Sequence, residues 1–499
     1  MRKLLAIAAM ALSMNALADF PESLPAPGEH AVEFVSTWDE TSQPALLFVP
    51  SAADSGEALP LLVALHGKGV DHTAWFRLTP VMEKAEAHGY VVVAPYGRGN
   101  VWYRGPGEQD VLDLIDLLIA TNRIDPDRVY LTGHSMGGWG AWWVGLRNAD
   151  RFASIAPMAG LPPMDLLPNA LHLDPYVIHD RDDNVVSVQR SRMPVARLGE
   201  LGITHRYVET TGYGHASRLI GDSLDDLFEW FRARRRVSEP KHIVLVARTP
   251  AKASNGRVHI LAMESALEPA EVDVEWTGEE ESLLTIQTRN VSAIGLDAGI
   301  HSLVPMRIDG QMIEEPSYDL VREKFAADPS LRIAERLVLA KVDGAWSAQL
   351  VLELPPPSIS TASVSEELDS ELAGAPLQDV ARRLGAILAS GANADAMIVR
   401  ADAFAWFGAP LTPDRLADSH VSAVETLRRY NLTGEQIVEL LDADPGLILA
   451  GLEQGELVSA KSYTIVSPIS PLGRHETLQQ ATSPAYQALL RGMGIGTWE

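Results

Sequence analysis

The 499-residue chain has no cysteine. Thiolate nucleophiles, disulfides, cysteine zinc sites, iron–sulfur clusters and a lipid on an N-terminal cysteine are all excluded. Basic side chains are scarce beside acidic ones: 41 Lys and Arg against 66 Asp and Glu, a formal net charge of −25. Phosphate contacts need clustered Lys and Arg, so no nucleic-acid partner and no anionic membrane surface is expected. No apolar run reaches 18 residues, so no membrane span is expected. No internal repeat is visible, and nothing calls for a metal or cofactor. What is present is an ordinary globular composition, 46% hydrophobic and 21% charged. Such a chain buries true cores, and its length suits two to four domains.

The first eighteen residues read as an export signal. Arg2 and Lys3 supply positive charge, Leu4 to Leu12 a short apolar run, and Ala16-Leu17-Ala18 a cleavage site ahead of Asp19. A periplasmic or secreted protein is expected.

From about Ala45 to Arg236, short apolar strands alternate with amphipathic helices. The strands are Ala45–Pro50, Leu61–His66, Tyr90–Pro95, Val129–Thr132, Ser154–Met158, Pro175–His179 and His205–Glu209. Asp110, Asp113 and Asp116 fall on one side of an otherwise apolar helix, as on a helix packed against a sheet. Strands buried on both faces with helical crossovers predict a mostly parallel α/β sheet. Asp222–Arg236 reads as the closing helix, with four arginines near its end.

The texture changes at Ser238-Glu239-Pro240. Short β-type runs follow (Ile243–Ala247, Val258–Met263, Ala270–Trp276, Leu283–Thr288, Ser347–Leu354), with one helix around Tyr318–Ala327. They predict a small β-sandwich-like domain. Pro355-Pro356-Pro357 and a Ser/Thr-rich stretch read as a linker. Beyond it helices dominate, with strands at Met397–Arg400 and Tyr463–Ser467. The expected organisation is thus signal 1–18, α/β unit 19–238, β-rich unit 239–356, linker 357–375 and a C-terminal α+β unit 376–499. Residues 19–237 hold 19 basic and 29 acidic side chains, and residues 238–499 hold 20 and 37. The surplus acidity is read as a solvated surface.

One stretch carries chemistry. The strand Val129–Thr132 runs into Gly133-His134-Ser135-Met136-Gly137-Gly138, and a helical pattern follows. This is G-x-S-x-G between a strand and a helix, where it lifts the serine hydroxyl off the sheet edge. It also leaves the Met136 N–H at a helix N-terminus, facing any oxyanion. Serine needs a base, and the base needs an acid to orient it. In α/β-hydrolases these follow in the order acid, then histidine. The strand Pro175–His179 ends in Asp180-Arg181-Asp182-Asp183, where three carboxylates compete. His215 stands on a glycine-rich loop after the next strand. A second oxyanion donor should come from the loop His66-Gly67-Lys68-Gly69, with the Lys68 N–H nominated and Gly67 or Gly69 as alternatives. Trp102 and Tyr103 follow a glycine-rich loop on the same rim and are candidates to line the substrate site. Trp139, Trp142 and Trp143, at helical spacing, read as core.

Asp125 to Gly138 resembles the nucleophile segment of bacterial prolyl-oligopeptidase-like and polyhydroxybutyrate-depolymerase-like esterases, and Arg151 to Gly160 matches the strand that follows there. The likeness covers about Ala45–Arg236. It implies an α/β-hydrolase with nucleophile Ser135, acid Asp183 and base His215. Asp183 is preferred because His179-x-x-x-Asp183-x-Val185 matches the acid loop of that group; Asp182 is the alternative. Asp180 departs from the pattern, which usually has glycine there. Residues 241–354 resemble more weakly the β domain that follows the hydrolase in some secreted members, through Arg307-Ile308-Asp309-Gly310 and Asp343-Gly344-Ala345-Trp346.

The C-terminal region is similar to the C-terminal domain of secreted 5′-nucleotidases. The stretches are Ala394–Val399, Leu411–Leu416, Asn431–Gln436 and Lys461–Val466. The metallophosphatase patterns of that family are missing, and its N-x-G-x-x-R has become Arg400-Ala401-Asp402-Ala403-Phe404-Ala405. Phosphatase activity is therefore not expected, and Phe404, Trp406 and Phe407 read as core.

The expectation is a secreted serine hydrolase acting on a small-molecule or polymer ester. About 25 residues separate the mature start from the first expected strand, too few for the gating propeller of a prolyl-oligopeptidase-like peptidase. That peptidase, and a non-catalytic exported binding protein with a vestigial hydrolase domain, are the alternatives.

Overall fold

The computed structural model describes residues 20–21, 23–248, 253–264, 269–277, 283–297, 305–313, 336–351, 358–359, 396–400, 427–433, 447–450 and 462–468. The export signal, the helix expected near Tyr318–Ala327 and the helices expected after residue 376 lie outside the described residues, as do Phe404, Trp406 and Phe407; of the expected linker 357–375 only Ser358–Ile359 is described, and it forms a strand.

Eight strands form the first sheet: β1 (Gly28–Val35), β2 (Ser42–Val49), β3 (Leu59–Leu65), β4 (Val91–Pro95), β5 (Ile124–His134), β6 (Ser154–Met158), β7 (Tyr176–Asp180) and β8 (Arg206–Thr210). Their spatial order is β1-β2-β4-β3-β5-β6-β7-β8. β1 and β2 run antiparallel, and all pairs from β4 to β8 are parallel. This is the α/β-hydrolase arrangement. β3 is buried at all seven positions, because helices cover both faces of the sheet. On one face Leu61, Val63 and Leu65 meet α3 (Pro106–Ala120) and α4 (Met136–Arg147) through Val111, Leu114, Leu118 and Trp142. On the other, Leu62 and Ala64 meet α1 (Ala74–Leu78), α2 (Val81–His88) and α6 (Arg218–Arg232) through Trp75, Val81, Leu224 and Phe228. A further helix, α5 (Gln189–Glu200), lies between β7 and β8.

Three details differ from the sequence expectation. The sheet begins a strand early, because β1 pairs along its full length with β2. The aspartate stripe of α3 is not a solvent face. Asp110 and Asp113 are buried. Asp110 accepts from Ser36 Oγ at 2.6 Å and from Arg98 Nε at 2.6 Å, while Asp113 accepts from the Thr37 N–H at 2.7 Å. The β1–β2 turn is thereby fastened to α3. The closing helix starts and ends four residues early, at Arg218 and Arg232. The arginines beyond it bind neighbouring loops: Arg234 pairs with Asp174, Arg235 with Asp125 and Arg236 with Asp127.

Two five-stranded sheets follow. One has the order β17-β16-β13-β10-β18 and the other β15-β14-β12-β11-β9. Their strands are β9 (His242–Ala247), β10 (Val258–Met263), β11 (Ala270–Thr277), β12 (Leu283–Arg289), β13 (Val291–Asp297), β14 (Met306–Ile308), β15 (Gln311–Ile313), β16 (Arg336–Val342), β17 (Ala345–Val351) and β18 (Ser358–Ile359). Alternate residues of both sheets share one core, including Val272 and Val274 from one and Ile294 and Leu339 from the other. The two sequence marks of this unit meet: Trp346 Nε1 donates to Asp309 Oδ2 at 3.0 Å, and Gln311 joins the Trp346 backbone at 2.8 and 2.9 Å. They fasten two hairpins of opposite sheets.

The sandwich is joined to the first unit through the 3₁₀ segment Met164–His172. The Asn169 carboxamide bonds the Val246 N–H at 2.7 Å and C=O at 2.9 Å while also donating to Leu146 O at 2.9 Å. Val246 is packed in the core of the first unit. A last sheet holds β19 (Ala396–Arg400), β20 (Leu427–Thr433), β21 (Leu447–Ala450) and β22 (Ser462–Pro468) in the order β20-β22-β19-β21. Among the described residues, no helix is long and apolar enough to cross a membrane.

Candidate active site

β5 ends at His134 and α4 begins at Met136, so Ser135 alone makes the turn, at φ 57° and ψ −119°. A non-glycine residue there is strained by about 1–3 kcal/mol. The backbone holds it in place: the Ser135 N–H donates to Met158 O, and its C=O accepts from the Trp139 N–H, both at 3.0 Å. The flanking glycines are steric requirements. A Cβ on Gly133 would stand 2.2 Å from Gly137 O, and one on Gly137 would stand 2.1 Å from Leu65 O. The Met136 N–H belongs to the first turn of α4, whose N–H groups have no partner within the helix.

The carboxyl ends of β7 and β8 carry the other groups. His215 Nδ1 lies 2.6 Å from Asp183 Oδ2. Asp183 Oδ1 accepts from the N–H groups of Val185 and Val186, both at 2.8 Å. His179 Nε2 stands 3.4 Å from Asp183 Oδ2. Burial on its own would raise the Asp183 carboxyl. The bonds from His179, His215, Val186 and Val185 outweigh it and hold the group well below the usual carboxylate range. An ionised carboxylate at that distance favours the His215 tautomer that carries its proton on Nδ1.

The three competing carboxylates thus have separate partners. Asp183 takes the His215 ring. Asp182 Oδ2 accepts from the Gly212 N–H at 2.8 Å. Asp180, fully buried, accepts at Oδ1 from the N–H groups of Asp182 (2.9 Å) and Gly214 (3.0 Å), and at Oδ2 from Thr210 Oγ1 (2.8 Å) and the Tyr213 N–H (3.2 Å). Burial opposes its charge, yet these four donors keep its carboxyl below the ordinary value.

The ring of His134, the residue just before Ser135, lies 4.6 Å from that of His215, centroid to centroid, with the planes 39° apart. The turn at Ser135 therefore lies beside the His215 ring. Burial, and then the neighbouring His215, push His134 down to about 3, so it is a neutral platform at working pH.

The loop after β3 passes alongside Ser135. A Cβ on Gly67 would be 3.6 Å from His134 O and 3.9 Å from Ser135 Cβ. The Lys68 side chain is exposed. The loop is pinned on both sides: the Gly69 N–H donates to Asn100 Oδ1 at 2.9 Å, and the His66 N–H to Tyr103 Oη at 2.8 Å. Tyr103 is fully buried, so it supports the loop from within the core. Trp102 is nine-tenths buried and meets Trp139 edge-on at 5.1 Å. Both turn inward because the chain takes φ 63° and 55° at these two residues. Trp142 and Trp143 are buried, whereas Trp139 is half-buried beneath Arg190. Tyr103→Phe is expected to leave the buried His66 N–H without its acceptor, destabilising the chain by about 1–3 kcal/mol. Urea unfolding of the two proteins measures this. Among the described residues no cluster of His, Asp and Glu is arranged to hold a metal ion.

Residues 41–198 match the Esterase family model. The chain is 30% identical over 133 residues to the esterase NocK of Nocardia uniformis subsp. tsuyamanensis, covering 24% of this chain and 39% of that protein. It is 30% identical over 135 residues to a bifunctional acetylxylan esterase/xylanase of Neocallimastix patriciarum, covering 26% and 20%. It is 33% identical over 122 residues to poly(3-hydroxyalkanoate) depolymerase C of Paucimonas lemoignei, covering 21% and 28%. The chain thus spans well under half the length of these relatives.

Proposed function

We propose that the chain is an exported serine hydrolase that cleaves carboxylic esters. The observation that carries this is the 2.6 Å bond between His215 Nδ1 and Asp183, with the His215 ring tilted against that of His134, the residue before a strained Ser135. Ser135 Oγ attacks the ester carbonyl as His215 Nε2 takes its proton. The N–H groups of Met136 and of the loop at Lys68 receive the oxyanion. His215 then protonates the departing alcohol, and water releases the acid from Ser135 by the same steps in reverse order. The match to the Esterase family, which spans Ser135 and Asp183, supports ester over peptide substrates. A fluorophosphonate probe should label Ser135, and p-nitrophenyl esters should turn over faster than aminoacyl nitroanilides. Absence of labelling would instead support the vestigial binding protein.

The catalytic unit is proposed to be residues 19–238, since every group given a chemical role lies between Lys68 and His215. A chain ending near Ser238 should keep activity on a small activated ester. It loses Val246 from the core and the backbone partner of Asn169, so its melting temperature should fall by roughly 5 °C or more. A short chain that is folded by circular dichroism yet inactive would place part of the site in the later units. The proposed kinship of residues 376–499 with 5′-nucleotidase C-terminal domains rests on sequence stretches alone, and no activity is proposed for it.

A further inference from the structure

The loop that carries His215 is held by carboxylates of the acid loop. Three successive N–H groups ahead of His215, those of Gly212, Tyr213 and Gly214, all point at them: Gly212 to Asp182, and Tyr213 and Gly214 to Asp180. Asp180 differs from its two neighbours because it binds both loops at once. Its Oδ1 holds the Asp182 N–H of the acid loop together with the Gly214 N–H of the base loop. Its Oδ2 holds the end of β8, at Thr210, together with Tyr213. All four ligands are donors, and the side chain is fully buried. Only a carboxylate, which offers acceptors at both oxygens, satisfies that set.

We propose that Asp180 is a positioning residue that sets the distance and orientation of His215 relative to Asp183 and Ser135. This rests on the serine-hydrolase reading above. An asparagine in its place has one acceptor oxygen. Whichever way the amide turns, its NH₂ faces a backbone N–H, either that of Tyr213 or those of Asp182 and Gly214. One of the two loops must then shift, and His215 shifts with it. Displacing a catalytic group by about 1 Å costs on the order of 10²-fold in rate.

The test compares wild type, Asp180→Asn, Thr210→Val and Ser135→Ala on p-nitrophenyl acetate, with melting temperatures measured in parallel. Asp180→Asn is expected to lower kcat about 10- to 100-fold at unchanged KM, and to slow fluorophosphonate labelling by the same factor. A merely structural residue would lower the melting temperature and leave kcat of the folded fraction alone. A folded Asp180→Asn protein with more than half the wild-type kcat overturns the proposal. Should that variant fail to fold, Thr210→Val decides. It withdraws one donor and keeps the charge, so kcat should fall roughly two- to tenfold at unchanged KM. Wild-type kcat in a folded Thr210→Val protein overturns the proposal. Ser135→Ala separates the two claims. If it is inactive while Asp180→Asn is unaffected, only the positioning role fails. If it remains active, the serine-hydrolase reading fails and the positioning role fails with it.

Discussion

Ser135→Ala is expected to lower kcat on a p-nitrophenyl ester by on the order of 10⁶, the loss seen when a comparable serine triad is deprived of its nucleophile. The fold should be untouched. The elbow is built by the backbone of Ser135, through its bonds to Met158 and Trp139, and by the close approach of Gly133 and Gly137. The hydroxyl contributes to none of these contacts. Unfolding by urea should therefore be superimposable for the two proteins, while fluorophosphonate labelling disappears. Retention of more than a tenth of the wild-type rate would remove Ser135 from the nucleophile's role.

The second large effect is a contrast between neighbours. Asp183→Asn should cost on the order of 10⁴ in kcat: the Val185 and Val186 N–H groups claim the amide oxygen, so its NH₂ faces and donates to His215 Nδ1, and the ring proton moves to Nε2, which can no longer act as base. Asp182→Asn should cost less than about tenfold, since its carboxylate meets only the Gly212 N–H and an amide oxygen serves there nearly as well. Rates measured at saturating ester compare them directly. If Asp182→Asn were the crippling change, the loop would pair in solution one residue out of the observed register.

These carboxylates also mark where sequence reading stops. That an acid would stand at the end of β7 and a histidine at the end of β8 follows from chain order and from strands ending on one rim. Which of Asp180, Asp182 and Asp183 meets the imidazole does not, because residues so close on one loop differ only in where each side chain points. The departure from glycine at Asp180 was visible, but the Tyr213 and Gly214 N–H groups it binds lie 33 and 34 residues away. The buried strands were legible as apolar runs. β1 was not: Glu29, His30 and Glu33 break its apolar run, as suits an edge strand paired only with β2. Asp110 and Asp113 looked solvated because their partners at Ser36 and Thr37 are 74 and 76 residues distant. Tyr103 followed a glycine-rich loop on the rim, and only its positive φ turns the ring inward.

The seam between Asn169 and Val246 has a consequence for how the chain acquires its structure. The two residues are 77 positions apart, and the later one belongs to another sheet system. A chain folding from its N-terminus can assemble β1 to β8 and still lack a wall over Leu166, Leu167 and Ala170. That wall arrives only when β9 docks. Contacts of such long sequence separation form late, and an apolar face left open meanwhile is exposed to intermolecular association. Docking of β9 is accordingly the step at which a refolding hydrolase unit should partition between the native state and aggregate.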